Sequence, residues 1–367
     1  MKRRLMYTAL MVISLLALSC NQSPLFYNIS KETPPKDPVI AGGPSRIVAS
    51  NVSSHDRLYT ANGKIWVYDG SSWIALENQP GGNIREVAAT STALYALSVD
   101  GTGSISTTLY KTTDGTNWAP VTNSTNYSIL GAIFGAGATL FVGARNSGGT
   151  EAAVLYDNGG NLATALSSIT VSDSVPGSLV GAVNMGGNYY LAVTGKGIYT
   201  AALASNFHSA TPISGSTDTK YRLNGLIALA TEVVAVGSGG YMLKGSSGGF
   251  SEVSAASDTS YPYTGALAVW TDETSSLLLA GRRYSTYTNG YWELPLTSGD
   301  LPSTVSIKVP GDGSPTTVAD KTTYQQSLGQ KIVSALYQAP ASLGSTLFAS
   351  TLTDGLWAYR GSWNAEE

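Results

Sequence analysis

The chain has 367 residues, a net charge of −3 at pH 7 and a charged fraction of only 12%. This acidic balance disfavours nucleic acid and anionic lipid headgroups as electrostatic partners. A single cysteine excludes an intramolecular disulfide, and two histidines provide neither a convincing histidine base nor a zinc cluster, so we expect no metal and no cofactor. Abundant Gly, Ser, Thr and Tyr indicate many short strands joined by turns.

The first 19 residues have the three-part layout of a secretory signal peptide. Residues 2–4 are basic, residues 5–17 are mainly apolar, and the small residue Ser19 stands directly before Cys20. Leucines lie two and four positions before the cysteine. The apolar stretch is shorter than the 18 or more residues, roughly, that a membrane-spanning helix needs. The pattern therefore predicts a cleaved signal peptide over residues 1–19.

The sequence before Cys20 resembles the lipobox of bacterial lipoproteins, in the looser form familiar among spirochaetes. The resemblance implies cleavage before Cys20, a diacylglycerol on its thiol and a fatty acid such as palmitate on the new amine. We therefore expect a lipid-anchored protein at a bacterial membrane, facing the periplasm or the exterior. A secreted protein with a chance cysteine is the alternative.

Residues 20–43 carry the cysteine and four prolines among polar residues, a composition typical of an extended tether. Loss of the signal peptide removes three of the 21 basic residues and none of the 24 acidic ones, which leaves a net charge of −6. Val39, Ile40 and Ala41 form a short apolar run at the end of this segment. We expect this run to pair with or cover the last repeat described below, whose outer strand is short.

A repeated unit of about 44 residues occupies the rest of the chain. A large apolar residue follows a glycine- or asparagine-rich turn seven times, at Trp73, Trp118, Leu162, Phe207, Phe250, Trp292 and Trp363. Five successive separations between these marker residues lie between 42 and 45 residues, and the last is 71. Such regular self-similarity is typical of repeat folds.

Each unit contains four short strand-like segments, which in the first unit are residues 47–50, 58–60, 65–69 and 73–76. Four strands at this period predict an all-β, seven-bladed β-propeller over residues 44–367, with four antiparallel strands per blade. A single twisted sheet cannot bury both of its faces, whereas radial neighbours cover them. An open β-solenoid and tandem sandwiches are the alternatives.

The turn between the third and fourth segments reads YDGSSW (68–73), TTDGTNW (112–118), TNGYW (288–292) and YRGSW (359–363). These turns resemble the Asp-box of sialidases and many other propellers. The resemblance implies that Asp69 and Asp114 accept hydrogen bonds from turn amides, that glycine adopts a positive φ and that tryptophan packs between blades. It implies a structural role, away from the active face.

The loops between second and third strands are predicted to share one face with the connections between blades. Charged residues recur in these loops, at Arg145, Lys196, Arg282, Arg283 and Asp354. They form a candidate polar ring for an anionic group at the channel mouth. Solvated loop charges with no ligand are the alternative.

The segment after the sixth blade, about residues 296–330, exceeds the repeat period by about 27 residues. It contains three prolines and a possible strand over residues 305–309, and we expect it on the same face as the charged loops. Both a binding cap and a disordered insertion are compatible with its composition.

Two functions of different classes fit the sequence. The first is a non-enzymatic binding or scaffold propeller for a protein partner, anchored to the membrane through its lipid, with no catalytic residues. The second is a glycan-binding or sialidase-like glycoside hydrolase propeller, with Tyr261, Tyr263 and Tyr284 as stacking platforms. The sialidase N-terminal signature Arg-Ile-Pro is missing, because Arg46 and Ile47 precede Val48. We favour the first function.

Overall fold

A computed structural model describes residues 38–100, 106–171, 177–202, 211–273, 275–285, 288–307, 328, 331–360 and 363–366. These residues belong to one compact unit, which begins at Pro38. The signal peptide, Cys20 and the marker Phe207 lie outside the described residues. No helix within the described ranges is long and apolar enough to cross a membrane.

The strands form seven sheets in chain order, one for each repeat. Blades one and two contain β1–β4 (Val48–Ser50, Arg57–Asn62, Lys64–Tyr68, Trp73–Ala75) and β5–β8 (Asn83–Ala89, Leu94–Asp100, Ser106–Thr112, Ala119–Pro120). Blade three contains β9–β13 (Thr122–Asn123, Tyr127–Ala136, Thr139–Asn146, Glu151–Asn158, Asn161–Thr170). Blades four and five contain β14–β17 (Leu179–Met185, Asn188–Val193, Gly197–Ala202, Thr211–Pro212) and β18–β21 (Leu223–Ala228, Val233–Gly237, Met242–Ser246, Gly249–Glu252).

Blades six and seven contain β22–β24 (Tyr263–Thr271, Ser276–Ser285, Thr288–Pro295) and β25–β28 (Val333–Gln338, Leu347–Thr351, Leu356–Tyr359, Trp363–Ala365). Among the described residues, short 3-10 helices lie in the links between strands at Thr219–Tyr221, Ser254–Ala256 and Ala341–Leu343. Within a blade, each strand apart from β9 pairs antiparallel with the next along the chain. The predicted all-β, seven-bladed propeller is therefore confirmed.

Blades three and six depart from the four-stranded pattern. β9 pairs parallel with β13 and adds a fifth strand to blade three. Blade six has three strands among the described residues. The prediction that Trp292 opens a fourth strand is wrong, because β23 is ten residues long and its hairpin pairs Ser285 with Thr288. Trp292 consequently lies within the third strand, β24.

The antiparallel strand order gives the propeller two distinct faces. We name the connection face as the one that carries the links between second and third strands and the links between blades. The turn face carries the other two links of each blade. Residues 69–72 and 113–118 lie on the turn face, whereas residues 194–196 and 352–355 lie on the connection face.

Burial is strongest in the second strands of the blades. All five residues of β19 are buried, as are the first six residues of β11. Both faces of these strands are apolar because a neighbouring blade covers each one. The core is accordingly a series of clusters between adjacent blades, and one of them joins Val234 and Met242 of blade five to Leu278 and Trp292 of blade six.

The inner strands of blades four to six approach one another through glycine. A Cβ on Gly225 would lie 2.5 Å from the carbonyl oxygen of Gly265, and one on Gly181 would lie 2.6 Å from the Cβ of Leu226. Real side chains do not tolerate such contacts with backbone, so these positions need glycine. The small residues at these positions of the inner strands therefore have a direct steric cause.

The ring closes where residues 38–43, at the end of the predicted tether, pack on blade seven. The Val39 N–H donates to the carbonyl of Glu366 (2.7 Å), and the Leu356 N–H donates to the carbonyl of Ile40 (3.1 Å). The Ile40 side chain is only 1% exposed and packs with Phe348 and Leu356. We name residues 38–43 the clasp. The prediction that this run pairs with or covers blade seven is confirmed for Val39 and Ile40, whereas Ala41 is exposed and its carbonyl accepts a hydrogen bond from Asn62 of blade one. On the turn face, Ser342 Oγ donates to Asp56 across the same junction (2.6 Å).

Candidate functional site

The two Asp-box-like turns with aspartate have the predicted structural geometry. The Asp69 carboxylate accepts hydrogen bonds from the Ser71 hydroxyl (2.7 Å) and from the Ser71 and Ser72 amides (2.9 and 3.2 Å). These bonds, above all the one from the hydroxyl, lower the pKa of Asp69 to about 2. Asp114 accepts from the amides of residues 116 and 117 (2.9 and 2.7 Å), and its pKa is also lowered. Gly70 and Gly115 have φ values of 102° and 78°, which favour glycine.

The marker tryptophans differ in burial. Trp73, Trp292 and Trp363 are between 1% and 3% exposed, and the Trp363 indole donates to the Tyr291 hydroxyl of blade six (3.0 Å). Trp118 is only half-buried, and its indole donates to the Asn78 carbonyl of blade one (2.9 Å). These markers join adjacent blades, but Trp118 does so at the edge of the core. The residues of TNGYW (288–292) belong to β24 rather than to a turn.

In the structure, Arg282 does not belong to the predicted polar ring. Arg282 is only 3% exposed, and its guanidinium carbon lies 3.8 Å from the ring centres of both Tyr263 and Trp292. Its Nη2 donates to the Asp258 carbonyl (3.3 Å), and burial lowers its pKa to about 10. The side chain turns inward because residues alternate between the two sides of a strand and this side of β23 faces blade five. Arg282 is therefore a core cation held by aromatic rings.

The same cluster removes two of the predicted stacking platforms. Tyr261 and Tyr263 are 4% and 2% exposed, and the Tyr263 hydroxyl donates to the Ala256 carbonyl (2.6 Å). Burial raises the pKa of Tyr263 to about 12. Neither ring can stack on a ligand from solution, and the side chain of Tyr284 lies outside the described residues.

The other predicted ring residues lie on the connection face, in separate blades. Arg145 is half-buried near the end of β11, Lys196 is half-buried between β15 and β16, and Arg283 is exposed on β23. Asp354 accepts a hydrogen bond from Lys331 Nζ (2.7 Å), which contributes most to lowering its pKa. Lys331 also lies 5.0 Å from the Trp357 ring centre. Lys331 was not singled out from the sequence, because it follows the irregular segment that ends blade six.

The start of that segment lies on the turn face, not on the predicted connection face. Strand β24 ends there at Pro295, and residues 296–301 then bond to the turn-face link of blade five. The Ala230 N–H donates to the Gly299 carbonyl (3.3 Å), and the Thr231 hydroxyl donates to Asp300 (2.7 Å). Residues 305–307 form no strand, and most of residues 308–330 lie outside the described ranges.

The central channel holds a charged pair that the sequence analysis did not identify. Arg46 Nη2 donates to Glu86 Oε2 (2.9 Å) and to the Ile133 carbonyl (2.6 Å), and its guanidinium stacks 3.7 Å from the Phe134 ring centre. The pair links blades one, two and three across a cavity of about 340 Å³. Burial raises the pKa of Glu86, and Arg46 opposes that shift. The available signal in the sequence was a charged residue directly before the apolar inner-strand residues of blade one (47–50) and of blade two (87–90).

The side of the cavity formed by blades five to seven combines apolar residues with a few polar side chains. Asn224 donates from Nδ2 to the Tyr263 carbonyl (2.6 Å), while its Oδ1 and the Ser334 hydroxyl are buried without a hydrogen-bond partner in the structure. Thr264 also lines this side, together with apolar residues that include Leu226, Leu267 and Leu336. Across the described ranges, no group of three or more His, Cys, Asp and Glu side chains is placed to hold a metal ion.

Comparisons with known proteins agree on the fold. No protein-family model and no curated protein matches the chain. A chain of the mitotic checkpoint complex is 11% identical with a TM-score of 0.53, covering 92% of this chain and 96% of that one. YCF48 from Cyanidioschyzon merolae is 14% identical with a TM-score of 0.50, covering 87% and 95%. BBS1N, solved in complex with ARL6DN, is 11% identical with a TM-score of 0.51, covering 90% and 93%. At these identities the likeness concerns the propeller fold alone.

Proposed function

We propose that this chain is a lipid-anchored lipoprotein outside the bacterial cytoplasm, whose propeller is a non-enzymatic scaffold for a protein partner. The signal peptide and the lipobox-like sequence before Cys20 support the anchor. Seventeen residues separate Cys20 from Pro38, so an extended tether reaches about 60 Å at most. The propeller would thus stay close to the membrane while its faces remain accessible.

The observation that carries the scaffold role is the way charged side chains are fixed on a closed ring. Arg46 binds Glu86 in the channel, and Lys331 binds Asp354 on the connection face. Each pair stabilises the local backbone rather than converging on a reacting group. A rigid surface with fixed charges is suited to recognising a partner without rearrangement.

The anchor is tested with a Cys20→Ser variant of the full chain, expressed in a bacterium with a lipoprotein-processing pathway. We expect the wild type in the membrane fraction with incorporated radioactive palmitate, and the variant in the soluble fraction without label. Palmitate incorporation that persists in the variant would contradict the anchor.

The scaffold role is tested by chemical crosslinking in cells that produce the wild-type lipoprotein, followed by affinity capture and mass spectrometry. We expect a specific protein partner that is absent when an unrelated lipoprotein is captured at the same abundance. Recovery of the same proteins with both baits would count against a scaffold.

A further inference from the structure

A groove opens on the turn face between blades six and seven. It is lined by the end of β22 with the following link, by residues 344–347 before and at the start of β26, and by the end of β27. Its volume is about 640 Å³, and a smaller recess of about 40 Å³ continues inward to Tyr291 and Glu293. Trp270 and Tyr359 line both parts and are half-buried.

The walls of the groove are held by bonds between the two blades. The Gln338 side chain of blade seven accepts from the Thr271 N–H and donates to the Thr271 carbonyl, each at 2.8 Å. On the far side of blade six, residues 296–301 are bound to blade five, as described above. Residues 296–301, which follow β24, are thereby directed towards blade five rather than towards the groove.

The chemistry of the groove is aromatic and acidic. Glu273 is exposed at one rim together with Asp272, and Glu293 is half-buried in the inner recess. The one guanidinium among the lining residues belongs to Arg360, which already binds both carboxylate oxygens of Glu366 at 3.0 and 3.1 Å. Aromatic rings beside carboxylates attract a cation through cation–π and ionic contacts together.

We propose that this groove binds a lysine or arginine side chain presented by an extended basic segment of the protein partner. The inference rests on the proposed scaffold function and assigns the partner to the turn face. Trp270 and Tyr359 would flank the aliphatic stem and the cation, while Glu273 and Glu293 would complement its charge. Because the net charge of the mature chain is −6, basic partners are also favoured at long range.

The test uses the mature-length chain with Cys20→Ser and a fluorescein-labelled peptide of alternating lysine and glycine. Fluorescence anisotropy measures binding, with an alternating glutamate–glycine peptide as the negative probe. We expect binding that weakens with added salt, and an affinity about tenfold lower for Trp270→Ala. Glu273→Lys should weaken binding to a similar extent without affecting folding, because that side chain is exposed.

The matched control is Glu77→Lys, which reverses an exposed glutamate in blade one, outside the groove. Equal weakening by Glu77→Lys and Glu273→Lys would show general charge attraction and overturn the proposal. A failure of the lysine peptide to bind would also overturn the proposal. So would quenching of Trp270 fluorescence when neutral methyl glycosides are added instead of the peptide. A partner still captured by crosslinking to Glu273→Lys at wild-type yield would refute the groove while leaving the scaffold function standing.

Discussion

At the scale of single residues, the turn aspartates could be predicted from the sequence, whereas the buried arginine of blade six could not. Asp69 and Asp114 were identified from the sequence, because an Asp-Gly turn gives the carboxylate nearby amides to accept from. The burial of Arg282 could not be identified that way, since Arg282 and Arg283 are adjacent in sequence and differ only in the side of β23 they occupy. A strand register shifted by one residue would exchange their environments.

Asp69→Asn is expected to lower Tm by about 1–3 °C at pH 7, because a neutral amide oxygen accepts the three bonds made to Oδ1 more weakly than a carboxylate oxygen does. The pKa of Asp69 is lowered to about 2 when folded, so its ionised form is favoured by folding. That contribution is fully present above pH 4, roughly the unfolded pKa, and is lost as the pH falls through about 2. Urea unfolding midpoints should therefore differ between wild type and variant at pH 7 and converge towards pH 2.5. A constant difference would contradict the role of the carboxylate.

Arg46→Met tests the pair in the channel. Removal of the guanidinium leaves Glu86 without its cation, so we expect a loss of about 1–3 kcal/mol of unfolding free energy at pH 8. The folded pKa of Glu86 is already raised and should rise further in the variant. A raised folded pKa makes stability greatest below the unfolded pKa and reduces it as pH rises through the folded value. The deficit of the variant should consequently be smaller at pH 5 than at pH 8, as measured by urea unfolding.

At the scale of elements, the repeat period predicted the seven blades but failed in blade six, where the marker Trp292 lies within the third strand. The period reflects only the number of residues between markers. It does not reveal that β23 continues past Gly281, so that the hairpin to β24 forms between Ser285 and Thr288. The segment from residue 296 onwards was correctly predicted to depart from the repeat, but the prediction placed it on the wrong face of the propeller. Its direction depends on bonds to residues 230–232, which are about 70 positions away in sequence.

The marker tryptophans should therefore differ in energetic weight. Trp292→Ala is expected to cost about 3–5 kcal/mol, because the ring is 1% exposed and covers Arg282. Trp118→Ala should cost only about 1–2 kcal/mol, because that ring is half-buried. Equilibrium unfolding in urea measures both. Equal costs would mean that Trp118 packs more deeply than the structure shows.

At the scale of the whole molecule, the propeller closes without exchanging strands between its first and last blades. Blade one is built from residues 48–75 and blade seven from residues 333–365, so packing and the clasp must hold the junction. Ile40, Tyr68, Trp73 and Phe348 meet there in one cluster. This closure was predicted from sequence because an apolar run in a polar linker needs a partner. The groove between blades six and seven was not predicted, because its lining comes from loops that are far apart in sequence.

Deleting residues 21–43 should lower Tm, whereas deleting residues 21–36 should not, because only the longer deletion removes the clasp. The single substitution Ile40→Ala should cost about 2–4 kcal/mol, since the side chain is 1% exposed. Calorimetry of the three variants measures these effects. Equal melting temperatures for the two deletions would refute the closing role of the clasp.

The bond from Val39 to Glu366 also has a mechanical consequence. A pulling force applied to the chain ahead of Pro38 would act on blade seven as well as on the clasp, because Val39 is bonded to Glu366. Gly42 and Ile40 accept from the adjacent amides of residues 355 and 356, so the load would be shared by several bonds strained together. Blade seven would then unfold before the force reaches the inner strands of the other blades. Under tension, the propeller would open at the junction between blades one and seven, while the other six blades stay folded.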